Sequence, residues 1–334
     1  MLGVLVLLVS FLLVRSSKLC PRQCLCYDAS ELVDCGSRGF THVPRSIPHG
    51  TQLLDLSGND LWELRSGSFT GTRVLQVLLL SQSHIQLLRS KALSSLTFLE
   101  KLDLAYNELR VLPPDFSQGL TALKDLQLSH NALQRLESRS LEDLESLQRL
   151  DLSHNHVQVI EAGAFRGLSV LKLLNLSWNQ LTVVQRGLLT MQQSLPVLFL
   201  DHNNISKIET QALAPLHTLT LLNLEANQLS SLKFKTLLNL QTASTHLQMS
   251  ENPWTCDCEL HRVFSKILHV RHLHVDDYMN LTCHAPLSLG VMHSQLCVAE
   301  TATVLLITGA VMVTVVAALV MAERKQNQKM NLEK

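Results

Sequence analysis

Through the middle of the chain the apolar positions fall into one repeated frame, L-x-x-L-x-L-x-x-N-x-L. One copy is Leu99, Leu102, Leu104, Asn107 and Leu109; the next is Leu123, Leu126, Leu128, Asn131 and Leu133. The polar marker appears as Asn59, Ser83, Asn107, Asn131, Asn155, Asn179, Asn203 and Asn227, at a constant interval of 24 residues. A degenerate ninth copy carries Leu247, Met249 and Asn252, one residue late. The L-x-L core has period two, which predicts a short strand with leucines turned inward and the residues between them outward. The Asn ends that strand, and its amide can satisfy backbone groups of neighbouring turns that would otherwise be buried unpaired. Ser83 offers fewer bonds, which predicts a weaker rung without a break. Ten residues after most markers stands an apolar residue (Phe69, Leu93, Leu141, Phe165, Leu189, Leu213, Leu237), and another often follows three later, as at Leu96 and Leu144. These fill the second side of a core. Pro113-Pro114 moves Phe116 one place earlier and predicts irregular backbone there. With strands about 4.8 Å apart, eight or nine turns make an arc on the order of 40 Å long.

The ends of the chain read differently. Leu2 to Val14 is an apolar run of 13 residues, short for a bilayer, followed by Ser16, Ser17 and a cysteine-rich segment. That predicts a secretory signal peptide over 1–17. Ala302 to Ala322 is a run of 21 uncharged residues, long enough to cross the roughly 30 Å hydrocarbon core as a helix. Glu323-Arg324-Lys325 stops it, and Lys329 and Lys334 lie beyond. Basic residues on that side place the N-terminal region outside the cell. Gly309 and Ala310 lack small-residue partners at a spacing that would mark helix dimerisation. The expectation is an integral, single-pass type I protein of the plasma membrane, with its N-terminus extracellular and a tail (323–334) too short for a catalytic domain.

Composition narrows the function classes. Aromatic residues make up only 4% of the chain, so the core is leucine-built, and the formal net charge is +0, which gives no electrostatic case for nucleic acid. The eight cysteines form two sets: Cys20, Cys24, Cys26 and Cys35 before the repeats, and Cys256, Cys258, Cys283 and Cys297 after them. A solenoid exposes an apolar face at each end, and these segments stand where covers are needed. Four cysteines allow three pairings, and spacing alone does not choose. The secretory route favours disulfides over zinc.

The frame and its period fit a leucine-rich repeat. C-x3-C-x-C-x8-C, followed by Gly39-Phe40, Val43-Pro44 and Ile47-Pro48, resembles the N-terminal cap of extracellular leucine-rich-repeat proteins. Asn252-Pro253-Trp254, then Cys256-Asp257-Cys258 and a helical segment to about Val270, resembles the matching C-terminal cap. The resemblance covers residues 20–297. It implies an α/β-type leucine-rich-repeat solenoid, curved, with short parallel strands on the concave face and a mostly irregular convex side, plus one transmembrane helix. It also implies the pairs Cys20–Cys26, Cys24–Cys35, Cys256–Cys283 and Cys258–Cys297. The organisation expected is a signal peptide (1–17), an N-terminal cap (18–50), repeats (51–251), a C-terminal cap (252–299), a transmembrane helix (302–322) and a cytoplasmic tail (323–334). That order is similar to leucine-rich-repeat adhesion proteins and to the auxiliary gamma subunits of large-conductance potassium channels.

Binding in such folds is expected on the concave sheet, whose exposed positions are free of packing duty. The column just before each marker reads Gly58, Gln82, Tyr106, His130, His154, Trp178, His202 and Ala226, with rings in five consecutive repeats. Leu79 and Phe199 are apolar where the concave position between strand leucines should be polar, and Val197 shares a strand with Phe199. These residues predict a protein-binding patch centred on Tyr106, Trp178 and Phe199 and flanked by His130, His154 and His202. The partner expected is an extracellular or membrane protein, met either as an adhesion or co-receptor protein or as an auxiliary subunit of a channel or other multi-span protein. Neither a nucleophile–base pair nor a phosphate loop is visible, so no enzyme and no cofactor are expected. His130 and His154 lie one strand apart without a recurring acidic or thiol neighbour, so no metal site is expected; His269, His272 and His274 read as a solvated surface. Three sequons, at Asn175, Asn204 and Asn280, predict N-glycosylation. Asn175 points from a concave strand beside Trp178, where a glycan would obstruct the patch.

Overall fold

The computed structural model describes residues 20–27, 31–240, 242–284, 311–316, 318–319 and 321. The signal-peptide segment, Cys297, most of the 302–322 span and the 323–334 tail lie outside the described residues. Residues 311–316, 318–319 and 321 are helical, and no helix among the described residues is long and apolar enough to cross a membrane.

Each copy of the frame contributes one short strand to a twelve-stranded sheet. Leu53–Asp55, Val77–Leu79, Lys101–Asp103, Asp125–Gln127, Arg149–Asp151, Leu173–Asn175, Val197–Phe199 and Leu221–Asn223 pair in parallel with no slip. Leu54, Leu78, Leu102, Leu126, Leu150, Leu174, Leu198 and Leu222 thus stand side by side, fully buried. A one-residue slip would turn every leucine outward, so the period of the sequence fixes the register. In the ninth strand, Thr245–Gln248, Leu247 pairs with Leu222. Its extra residue is absorbed in the return segment, leaving the strand in register.

The markers form a ladder of amides. Asn131 is typical: Nδ2 donates to the carbonyls of Leu104, Leu128 and Ser129 at 2.9–3.3 Å, and Oδ1 accepts from the Leu109 N–H at 3.0 Å. At Ser83 the shorter hydroxyl shares its proton between the Leu56 and Ser81 carbonyls, at 3.0 and 3.2 Å. The Leu61 N–H, which an Asn side chain would have accepted, turns to the Ser83 backbone carbonyl at 2.8 Å. The rung is thinner and the sheet continues through it. Asn252 restores the full pattern in the ninth repeat.

The return side is mostly irregular, with three two-stranded parallel ladders: Glu63–Leu64 with Leu87–Leu88, Arg135–Leu136 with Val159–Ile160, and Val183–Val184 with Lys207–Ile208. Arg89, Glu161 and Glu209 each donate an N–H to the preceding turn just beyond these pairs. Pro113 occupies the equivalent place in its repeat and has no N–H to give. Phe116 is nonetheless buried.

Both ends are closed by pieces that prolong the sheet. At the N-terminus a hairpin, Leu25–Tyr27 with Leu32–Asp34, adds a strand beside Leu53–Asp55 and is tied by Cys20–Cys26 and Cys24–Cys35. At the C-terminus Leu273–Val275 pairs with Thr245–Gln248. There the helix Cys258–His269, capped by the Asp257 carboxylate on the Leu260 N–H, lays Leu260, Val263, Phe264 and Ile267 on the last repeat. Trp254, fully buried, meets Phe264 edge to face at 5.7 Å and donates its indole N–H to the Met249 carbonyl. Cys256 is bonded to Cys283, and Cys258 is also disulfide-bonded. The pairs among the described cysteines are those the resemblance implies.

Candidate protein-binding face

The residue before each marker has to turn the chain out of the strand, and it does so in the left-handed region. Tyr106, His130, His154, Trp178 and His202 have φ of 52–55°. A non-glycine residue there costs about 1–2 kcal/mol, which is why Gly58 in the first repeat is the easier choice. Each N–H in this column donates to a carbonyl of the next turn: Tyr106 to Ser129, His130 to Ser153, His154 to Ser177, Trp178 to Asp201 and His202 to Glu225, at 2.9–3.0 Å. With the backbones locked in the same pose one turn apart, the side chains leave in the same direction.

The five rings therefore stack. Centroids are 4.1 Å apart from Tyr106 to His130, 4.1 Å from His130 to His154, 5.2 Å from His154 to Trp178 and 3.9 Å from Trp178 to His202, with planes within 14° of parallel. Aromatic contacts stabilise by about 0.5–1.5 kcal/mol each, enough to offset much of the backbone cost. Tyr106 and Trp178 remain half exposed at 53% and 49%; Trp178 is stacked on both faces, by His154 and His202, and Tyr106 on one, by His130. The column lies along the C-terminal rim of the sheet, about three residues beyond the strand ends, and not on the strands themselves. Sequence spacing gave the alignment of the rings; it did not give their left-handed backbone or their mutual contact.

Burial and the neighbouring His154 hold the His130 imidazole below its ordinary pKa, with Asp151 opposing. On the adjacent strand face burial raises the Asp103 carboxyl, against the Ala105 N–H and Lys101, with Asp125 and Asp55 adding to the rise. The stack thus favours neutral imidazole at His130.

The column between the strand leucines has a structural rule of its own. Asp34, Asp55, Asp103, Asp151, Asn175 and Asn223 each accept, through Oδ1, the N–H two residues on at 2.8–3.0 Å. Asp and Asn are there to close that turn. Leu79, Gln127 and Phe199 cannot make this bond, so the turn does not explain their presence. Phe199 is the most informative departure. It lies between Asn175 and Asn223 in register, beside the half-exposed Leu173, Val197 and Leu221 of the first strand position. A groove of about 310 Å³ joins it to the rim, lined by His154, Asn175, Trp178, Phe199, Asp201 and Asn223. The structure therefore brings Trp178, Phe199 and His154 together, with His202 stacked beyond Trp178. Tyr106 stands at the far end of the stack, away from the groove. Leu173 and Leu221 escaped sequence reasoning because they occupy positions where leucine looks like core.

Ser177 and Asp201 of the groove and the adjoining His202 lie close together, but not as a catalytic set. Ser177 Oγ donates to Asp201 Oδ1 at 2.6 Å, and His202 Nδ1 lies 3.1 Å from Asp201 Oδ2. The hydroxyl is bonded to the carboxylate, so no imidazole is placed to take its proton. Among the described residues no three of His, Cys, Asp and Glu converge as metal ligands. The cap histidines separate. His269 bonds to the Ser265 carbonyl, exposed His274 stacks at 5.1 Å on His246, and His272 is half-buried with its Nε2 inside, a departure from the uniformly solvated surface expected. Of the sequon residues, Asn204 and Asn280 are exposed, and Asn175 is half-buried at the groove.

Comparison with known proteins agrees with this architecture. The leucine rich repeat family matches residues 50–109, 97–157, 149–191 and 179–229. Amphoterin-induced protein 1 of Homo sapiens is 44% identical over 77 residues, 22% of this chain and 15% of that protein. Leucine-rich repeat-containing protein 3 of Rattus norvegicus is 35% identical over 85 residues, 25% of this chain and 33% of its own length. The matched stretch is thus a third or less of these curated relatives. The crystal structure of human 5T4 (Wnt-activated inhibitory factor 1, trophoblast glycoprotein) aligns with a TM-score of 0.62 at 28% identity, covering 84% of this chain and 98% of that one.

Proposed function

The chain belongs to the leucine-rich-repeat family, and on that premise we propose that it is a single-pass type I protein of the plasma membrane that recognises an extracellular or membrane protein through its repeats. The observation that carries this reading is the pairing of a five-ring rim, Tyr106 to His202, with a groove in which Trp178 and Phe199 stand among polar side chains. Tyr and Trp supply large, stiff contact area at low entropic cost, and a half-exposed Phe on a rigid sheet loses little more freedom on binding. The Asx turns and the amide ladder fix the scaffold beneath them, so the face is preorganised.

The cell-surface placement rests on the sequence: the 1–17 signal peptide, the uncharged 302–322 span and the basic residues after it. Disulfides at both ends suit an oxidising exterior. Asn204 and Asn280 carry the N-glycans in this reading, and the aligned human protein is by name a glycoprotein. Adhesion or co-receptor recognition is the form we favour.

Proximity labelling from the intact protein on living cells tests it. The expected result is a small set of surface proteins whose labelling drops when Trp178 and Phe199 are both replaced by alanine. Labelling indifferent to both replacements contradicts it, as does surface access to the 323–334 tail but not to the segment around Asn131.

A further inference from the structure

A second cleft lies away from the ring rim, between the N-terminal cap and the return side of the first repeat. It encloses about 720 Å³ and is formed by residues 41–49 and 62–72. Three features of its lining converge.

The first is an aromatic wall. Trp62 is 53% exposed, and its indole N–H donates to Gln86 Oε1 at 2.8 Å, while the Gln86 amide is in turn bonded to Glu108. The ring is held in place with its surface open. The second is charge. Glu63 is the single carboxylate of the lining, and it is bound by the Arg65 and Arg89 guanidiniums, which hold it below the usual carboxylate range. Arg45 is exposed and has no hydrogen bond or ion pair among the described residues, and the Arg65 side chain is 79% exposed. The cleft therefore carries surplus positive charge in a chain whose net charge is zero. The third is a set of hydroxyls and fixed acceptors. Thr41, Ser46, Ser66, Ser68 and Thr70 line the walls. Thr70 Oγ1 donates to the Gly67 carbonyl at 3.1 Å, and His49 Nδ1 to that of Gly71 at 2.8 Å. With Nδ1–H used, His49 Nε2 is left as an acceptor.

We propose that this cleft binds an acidic oligosaccharide, with Trp62 stacked on the apolar face of one sugar ring, Arg45 and Arg65 on its sulfate or carboxylate, and the hydroxyls and His49 Nε2 on its hydroxyl groups. An open indole beside many hydroxyls is matched by a sugar, which has an apolar face and a polar edge. Arg45, which has no carboxylate partner, and the exposed Arg65, which shares Glu63 with Arg89, select the charged member of that class. An acidic peptide would meet the same guanidiniums but would leave the indole and hydroxyls largely unused.

The test is binding of the purified full chain to four probes: a sulfated heparin-derived hexasaccharide, a sialylated trisaccharide, a neutral oligosaccharide and a hexaglutamate peptide. The expected result is that one of the two acidic sugars binds at least tenfold tighter than the neutral sugar and the peptide, and which of them does so identifies the anion. That affinity falls with added salt, by about tenfold on Trp62→Ala, and by a similar factor on Arg45→Gln, an exposed change that leaves the fold intact. Trp178→Ala, outside the cleft, leaves it unchanged, so this inference fails or stands apart from the protein-binding reading. Failure of both acidic sugars to bind, equal binding by the neutral sugar or the peptide, or affinity unmoved by both cleft variants would overturn it.

Discussion

The imidazoles of His130 and His154 lie face to face, with centroids 4.1 Å apart and planes 9° from parallel. That contact suits neutral rings and penalises charged ones. His130 is accordingly held below its ordinary value of 6.5, chiefly by burial and then by His154. On acidification the unfolded chain takes up its proton first, near 6.5, and the folded chain only at lower pH. Between the two values the unfolded state binds more protons, so stability falls as pH drops through that window and levels off below it. Thermal unfolding from pH 8 to pH 5 should show a steeper decline for the native chain than for His130→Phe. Parallel curves for the two would remove the effect.

The amide ladder makes a graded prediction. Asn131→Ala leaves the buried Leu109 N–H unpaired, opens a void, and takes one of two donors from the Leu104, Leu128 and Ser129 carbonyls, which keep Asn107, Asn155 and Tyr106; it should cost about 3 kcal/mol. Ser83→Ala removes a hydroxyl that shares one proton between two carbonyls and accepts the Asn59 N–H only at 3.4 Å, in a rung whose Leu61 N–H is satisfied elsewhere, and should cost about 1 kcal/mol. Denaturant titration of both variants measures the difference. Equal losses would mean that the ladder is not what holds successive turns together.

Glycan placement follows from the groove. Asn175 has its Oδ1 fixed by the Ser177 N–H at 3.0 Å and shares the groove with Trp178 and Phe199. A glycan on its Nδ2 would cover that surface. Peptide mapping should therefore find Asn204 and Asn280 modified and Asn175 bare. An occupied Asn175 would move the binding face toward the Tyr106 end of the rim.

Much of this was readable from the chain. Parallel register, buried leucines and the amide ladder all follow from one invariant interval, because a 24-residue turn leaves each Asn only one place to go. The candidate site was readable in part. Ring residues could be aligned by counting, but their stacking depends on a left-handed backbone that no propensity of Tyr, His or Trp announces. Phe199 stood out against its column, whereas Leu173 and Leu221 did not, since a leucine beside strand leucines carries no mark of its exposure. The cleft at Trp62 was invisible for another reason: its two walls come from segments about 20 residues apart that meet only after the cap docks.

Recognition through the groove at Trp178 and Phe199 is the central claim, and affinity for a partner captured by proximity labelling tests it most directly. Trp178→Ala in the full chain should weaken that affinity by about thirtyfold or more, the loss of a buried aromatic anchor of at least about 2 kcal/mol. The unfolding midpoint should shift by only a few degrees, since the lost stacking contacts are worth about 1 kcal/mol each. Unchanged affinity in a folded Trp178→Ala chain would contradict the account.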